Sequence, residues 1–148
     1  MQNLNENSPF RQNYSINVNG FLMDFSTPKV MGILNLTPDS FFDGGSFSSE
    51  NKILVQVEKM LKEGADIIDI GAFSSRPNAT LISEQEETDR LMMNLKTIVR
   101  HFPEAILSID TYRSNIAKMT VAEGAHIIND ISAGTFDERM FETMSQLK

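Results

Sequence analysis

The sequence predicts an α/β protein made of repeated β-α units, a parallel sheet with helices packed outside it. Three observations carry that prediction. Short apolar runs at Val30–Leu34, Asp66–Ile70, Ala105–Ile109 and His126–Ile128 alternate with longer stretches of helical period, the order that builds parallel sheets. The run Glu63-Gly64-Ala65-Asp66-Ile67-Ile68-Asp69 recurs 60 positions later as Glu123-Gly124-Ala125-His126-Ile127-Ile128-Asn129, two units further on. This echo fits a (β/α) barrel, and equally a common way of turning from a helix into a strand. Finally, each strand exit carries polar side chains.

Each element has its own reason. Residues 1–13 (MQNLNENSPFRQN) read as a loose tail, and 14–148 as the folded domain. Asn19-Gly20 between Tyr14–Val18 and Phe21–Phe25 is a strong hairpin signal, giving a two-stranded cap ahead of the main fold. Strand Val30–Leu34 ends where Pro38, which has no amide donor, turns Thr37 away from helix. Ser48 or Ser49 suits a helix N-cap with Glu50 in the first turn, and Ile53, Leu54, Val57, Met60 and Leu61 share a face until Gly64. Ser83 and Glu86 form a capping-box pattern before the stripe Leu91, Leu95, Ile98 and Phe102. A third helix runs from about Arg113 to Glu123 and stops at Gly124, and Asp137–Leu147 reads as a fourth.

Composition narrows the classes. The 148 residues make one ordinary domain, and 41% hydrophobic content can fill its core. With no cysteine, disulfides and thiolate metal sites are excluded, which fits a reducing compartment; a cytoplasmic location is expected. The polar N-terminus offers neither the basic nor the apolar region of a secretory signal. No apolar run nears the roughly 20 residues of a membrane span, so no membrane partner is expected. A net charge of −7 argues against nucleic acid, which demands a basic face. A complete barrel has eight units in about 250 residues. The four units here are therefore half of a barrel or a smaller open sheet.

The polar residues at the strand exits are Asn35, then Ser74-Ser75-Arg76-Pro77, then Asp110-Thr111, then Asn129-Asp130. In a barrel all four sets converge on one mouth. Singly, each has a plain alternative: Asp110 suits an N-cap, Asn129-Asp130 a turn, Arg76 a surface charge, and Asp69 a buried carboxylate with a structural partner. Together they suit a flat heterocycle, because a carboxylate accepts from ring N–H groups while an amide both donates and accepts. Asn35 offers a neutral oxygen to a hard cation such as Mg²⁺. Arg76, with Ser74 and Ser75, suits an anion. His101 and His126 are isolated and take no assigned role.

MGILNLTPDSFFDGG (31–45), SSRP (74–77), SIDT (108–111) and HIINDIS (126–132), in this order and spacing, resemble the N-terminal half of dihydropteroate synthase. The resemblance runs from about residue 16 to the end. It implies the N-terminal half of a TIM-type barrel, about four βα units preceded by a β-hairpin. It also implies an enzyme of folate biosynthesis, a transferase that joins 4-aminobenzoate to a dihydropterin diphosphate and releases diphosphate. By the same resemblance Asn35 would bind Mg²⁺ with the diphosphate, and Asp110 and Asn129 would hold the pterin edge. Phe41 or Phe42, with Pro77, would form the aminobenzoate slot. Ser75 and Arg76 would meet the diphosphate or order the loops, and Asp39 and Asp43 would support the metal shell or the developing cation. The second loop usually reads GGESTRPG in this family. Here it is GAFSSRPN, with Phe73 for Glu and Asn78 for Gly. A later Asp and Lys and a terminal Arg-x-His that complete the family's site are not in these 148 residues, so the chain alone is expected to be nearly inactive. The full-length form is expected to be a homodimer. Two alternatives remain, a non-catalytic pterin-binding half barrel and a folate-dependent methyltransferase type of domain; the latter lacks the TPDSFFDGG loop.

Overall fold

A computed structural model describes residues 14–36, 47–73 and 82–147. The predicted tail at 1–13 lies outside them. The elements are β1 (Ser15–Val18), β2 (Phe21–Asp24), β3 (Met31–Asn35), α1 (Phe47–Lys62), β4 (Ile67–Gly71), α2 (Glu84–His101), β5 (Ile106–Asp110), α3 (Ser114–Glu123), β6 (Ile127–Asn129) and α4 (Met140–Gln146). β1 and β2 form the predicted antiparallel hairpin around Asn19-Gly20. The other four strands form one parallel sheet in the order β3-β4-β5-β6.

The strands of this sheet each begin and end one residue later than the apolar runs suggested. At β4 the reason is visible. Asp66 belongs to the turn, where its carboxylate accepts from the Val30 amide at 2.8 Å and pairs with Lys29 at 3.5 Å. The shift matters at the other end, because it draws Asn35, Gly71, Asp110 and Asn129 into the sheet.

Side chains alternate across the sheet. One face carries Leu34, Ile68, Ile70, Leu107 and Ile109, packed with Val57, Leu91, Leu95, Ile98 and Ile116 of the helices in one core. Each of these fully buried side chains stabilises the fold by about 1.5–3 kcal/mol. The opposite face is layered by the register. Met31, Ile67 and Ile106 lie lowest, and next come Ile33, Asp69, Ser108 and Ile127. The hairpin closes the bottom, with Val18 and Met23 packed on Ile67, Ile106 and Ile127.

Helix ends correct several expectations. α1 begins at Phe47, so Ser48 and Ser49 lie within its first turn and neither is the N-cap. At α2 half of the capping box forms: Ser83 Oγ accepts from the Glu86 amide at 3.1 Å, while the Glu86 carboxylate pairs with Arg90. Asp110 does not cap α3. The N-cap is Arg113, without a side-chain bond, and the Ser114 amide donates instead to Asp137 at 2.9 Å. Hydrogen bonding from the Ser114 side chain, and then from its amide, holds the Asp137 carboxyl well below the usual range and ties the start of α3 to the segment before α4. α4 itself begins at Met140, three residues later than expected.

The internal echo is one structure used twice. Ala65 donates to Met60 O at 3.0 Å and Ala125 to Thr120 O at 2.9 Å, the bond that closes a helix over a left-handed residue. Gly64 and Gly124 supply that residue, at φ +101° and +116°. A Cβ at Gly64 would meet nothing within 4 Å, whereas one at Gly124 would lie 3.3 Å from Val99 Cγ1. Gly64→Ala is expected to cost about 1–2 kcal/mol from the left-handed backbone alone, and Gly124→Ala measurably more, by urea denaturation of both variants. Equal losses would show that Val99 yields without cost.

Candidate active site

The parallel register sets four residues side by side at the C-terminal end of the strands. Asn35 pairs with Gly71, Gly71 with Asp110, and Asp110 with Asn129. All four lie on the face away from the helices, one layer above Asp69 and Ser108. The row therefore reads amide, no side chain, carboxylate, amide. Backbone bonds continue the ladder just past it, from Leu36 N to Gly71 O at 2.7 Å and from Thr111 N to Asn129 O at 3.1 Å.

Gly71 is what lets the row act as one site. A Cβ there would lie 3.4 Å from Asp110 Oδ2 and 3.8 Å from Asn35 Oδ1. The carboxylate and the first amide thus border the same space, which only a hydrogen atom enters from below.

Asp110 is half-buried among acids. Burial first, then the charges of Asp69, Glu87 and Asp130, push its carboxyl up to about 6. Asp69 is buried, and its Oδ2 accepts from Asn129 Nδ2 at 3.1 Å; this is the structural partner expected for it. Asn129 and Asp130 divide the turn reading between them. Asp130 holds the turn, accepting from the Ser132 and Gly134 amides at 2.8 Å each. Asn129 stays in the strand with its side chain on the open face.

Behind the row runs an ionic network that no sequence pattern announced. Glu87 on α2 is fully buried and accepts from Thr111 Oγ1 at 2.7 Å and from Arg113 Nη1. Burial raises its carboxyl, against the pull of those two partners. Arg113 Nη2 also donates to Ile82 O at 2.9 Å, and Arg90 Nη1 to Ala72 O at 3.1 Å. Two arginines thus hold the backbone on either side of residues 74–81. The guanidinium of Arg113 stacks over Tyr112 at 5.0 Å, and Tyr112 meets Phe73 edge-on at 5.5 Å and Phe136 at 5.6 Å.

Of the predicted site residues, the structure brings together Asn35, Asp110 and Asn129. Asp39, Phe41, Phe42 and Asp43 lie outside the described residues, as do Ser75, Arg76 and Pro77. Among the described residues no cluster of three or more His, Asp or Glu could hold a metal, and no helix is long and apolar enough to cross a membrane. His126, given no role from sequence, is structural. Its Nδ1 accepts from the Leu107 amide at 3.2 Å and its own amide donates to Leu107 O at 2.9 Å, pinning the start of β6.

Comparison with known proteins agrees with this geometry. Residues 31–148 match the profile of the family described as pterin binding enzyme. The chain belongs to that family. It is 51% identical over 129 residues to the mitochondrial folate synthesis bifunctional protein of Arabidopsis thaliana, covering 84% of this chain and 23% of that one. It is 45% identical over 112 residues to dihydropteroate synthase of Streptococcus pyogenes, covering 76% of this chain and 42% of the relative. Among solved structures, Xanthomonas albilineans dihydropteroate synthase with 4-aminobenzoic acid superposes with a TM-score of 0.81 at 32% identity, over 91% of this chain and 49% of that one. The chain thus spans about half the length of such synthases or less. It corresponds to a partial N-terminal segment of the dihydropteroate synthase type, and its four parallel strands to part of a TIM-type barrel.

Phe73, the departure noted in the second loop, packs its ring edge-on against Tyr112. The raised carboxyl of Asp110 makes a stability prediction. A group whose folded pKa lies above its ordinary 3.8 contributes stability below that value and loses it as pH rises through about 6. Asp110→Asn is therefore expected to be more stable than the parent chain at pH 7.5, by on the order of 1 kcal/mol, and no more stable at pH 4. Urea midpoints at the two pH values measure it. A constant difference would mean that the carboxylate is not the strained group.

Proposed function

We propose that this chain carries the pterin-binding portion of a dihydropteroate synthase. That enzyme joins 4-aminobenzoate to 6-hydroxymethyl-7,8-dihydropterin diphosphate and releases diphosphate. The observation that supports this reading most is the row Asn35–Gly71–Asp110–Asn129, seen in a chain of the pterin-binding family.

The row matches the order of groups in such a substrate. Asp110 can take two N–H donors of the pterin's amino-pyrimidine edge, and Asn129 one further polar group beside it. Asn35 lies two strands from Asp110, about 10 Å at the 4.7–4.9 Å strand spacing. That is the backbone separation; the side chains converge, with Asp110 Oδ2 and Asn35 Oδ1 each within 4 Å of the Cβ position at Gly71. Gly71 leaves the middle open, so the reacting methylene can lie close to the sheet.

The charge of the site bears on Mg²⁺. Asp69, Asp110 and Asp130 surround the row in a chain of net charge −7, so a bare diphosphate would be repelled. One neutral oxygen on Asn35 fits an ion that takes few protein ligands and fills its shell with waters and phosphate oxygens. When bound, Mg²⁺ would offset the charge of the leaving diphosphate. In the reaction the C–O bond from methylene to diphosphate breaks, and the 4-aminobenzoate nitrogen supplies the pair for the new C–N bond, losing a proton to solvent. The chain's own part is to hold the ring by its edge so that the methylene faces the incoming amine. The 37–46 and 74–81 segments, with Asp39, Phe41, Phe42, Asp43, Ser75, Arg76 and Pro77, are proposed to supply the aminobenzoate slot and diphosphate contacts.

Fluorescence titration of the 148-residue chain with 7,8-dihydropterin tests the row. Binding is expected to weaken at least tenfold in Asp110→Ala, about one hydrogen bond to a charged group. In the parent chain it should weaken as pH falls below about 6, where Asp110 takes up its proton. No binding by the parent chain, or equal binding by the variant, would remove the basis of this reading. With both substrates and Mg²⁺, product formation is expected to be slight, because a half-open site does not exclude water.

A further inference from the structure

We infer that Asp69 is a positioning residue: it fixes which way the Asn129 side-chain amide faces and so decides that an acceptor, not a donor, meets the ligand. This rests on the reading of Asn129 as a pterin contact.

Asp69 and Asn129 are the last residues of the two echoing segments, 60 positions apart, and their side chains meet across β5. The bond runs from Asn129 Nδ2 to Asp69 Oδ2 at 3.1 Å. On the strand between them, Ser108 is the register partner of Asp69 and Asp110 that of Asn129, so the bond runs diagonally past the small Ser108 side chain. An ionised carboxylate can only accept. Asn129 must therefore turn Nδ2 to Asp69, which leaves its Oδ1 as the acceptor to meet a ligand. Were residue 69 an amide, either orientation of Asn129 would find a partner, since an amide both donates and accepts.

Asp69 is poorly explained as a device for stability. It is 4% exposed, and its Oδ1 makes no hydrogen bond among the described residues; neither does the buried Ser108 Oγ beside it. Burying a carboxylate with half its accepting capacity unused costs free energy. An apolar residue in that layer, like its neighbours Ile33 and Ile127, would cost nothing of the kind. What Asp69 provides and they cannot is a one-way acceptor beneath Asn129.

The test uses the whole chain and the variant Asp69→Asn, with two readouts. Side-chain amide hydrogens of Asn129, followed by NMR hydrogen exchange in the free protein, are expected to be protected in the parent and to exchange at least tenfold faster in the variant. Affinities for pterin and for lumazine, which carries a carbonyl in place of the 2-amino donor, are then compared. The parent should prefer pterin, and in the variant that preference should fall about tenfold, because the turned-over amide can donate to the carbonyl. Thermal stability should stay level or rise. Unprotected Asn129 hydrogens in the parent chain, a measurement that needs no variant to fold, would overturn the inference. So would pterin and lumazine affinities that fall in parallel, as a merely structural role predicts. If Asn129 is protected by Asp69 but the parent binds neither pteridine, the positioning stands and the pterin reading fails.

Discussion

The parallel pairing of β3, β4, β5 and β6 is the constraint from which the candidate site follows. Parallel strands in register put residues of equal height side by side, and side chains two apart share a face. Once Leu34, Ile70 and Ile109 must face the helices, the next residue along each of those strands must face the other way. Asn35, Gly71 and Asp110 have no freedom in the matter. A one-residue slip of β5 would exchange Asp110 for Ile109 on the inner face and bury a carboxylate in the helix layer, at a cost of several kcal/mol. The apolar core thereby enforces the polar row.

A second consequence is that acids accumulate where strands end. Asp69, Asp110 and Asp130 come from three different strand exits, and Glu87 reaches in from α2 behind them. Asp69, Glu87 and Asp130 add to burial in raising the cost of ionising Asp110. Arg113 answers only part of that charge, because it is committed to Glu87 and to the Ile82 carbonyl. The chain tolerates this crowding at one end of the sheet. The other end is apolar and plugged by Val18 and Met23 of the hairpin. Stability is concentrated at the bottom and electrostatic tension at the top, as in barrel proteins that react at the C-terminal ends of their strands.

Much of this was legible in the sequence, for a physical reason. Buried strands are short apolar runs and α1 and α2 are amphipathic, so periodicity alone located β3 to β6 to within one residue and found each helix, although α1 starts earlier and α4 three residues later than expected. The echo at Glu63 and Glu123 announced its glycine turn because a left-handed backbone tolerates little besides glycine. The hairpin was equally plain from Asn19-Gly20. Caps were less so. Asp137 serves α3 from 23 positions away, and no local pattern encodes a partner brought by tertiary folding. Glu87 looked like one more charge in an acidic first turn until the fold buried it beside Arg113. Gly71 was silent for the opposite reason, since its contribution is the space it does not fill.

The middle layer of the inner face shows how a site can be read from what is energetically out of place. In this layer Ile33 is exposed and Ile127 half-buried, while between them Asp69 and Ser108 carry two buried polar atoms that lack partners among the described residues. A core that needed only stability would have closed this gap with hydrocarbon, gaining about 1.5–3 kcal/mol per side chain. Asp69 sits directly beneath Gly71 and Ser108 beneath Asp110, and Asp69 accepts a hydrogen bond from Asn129 across β5. The departure from good packing is therefore confined to the layer that touches the row and is absent from the layer beneath it, where Ile67 and Ile106 meet the hairpin. That gradient from apolar floor to polar mouth, within four residues along the same strands, ties the cost of the buried acid to the row it supports.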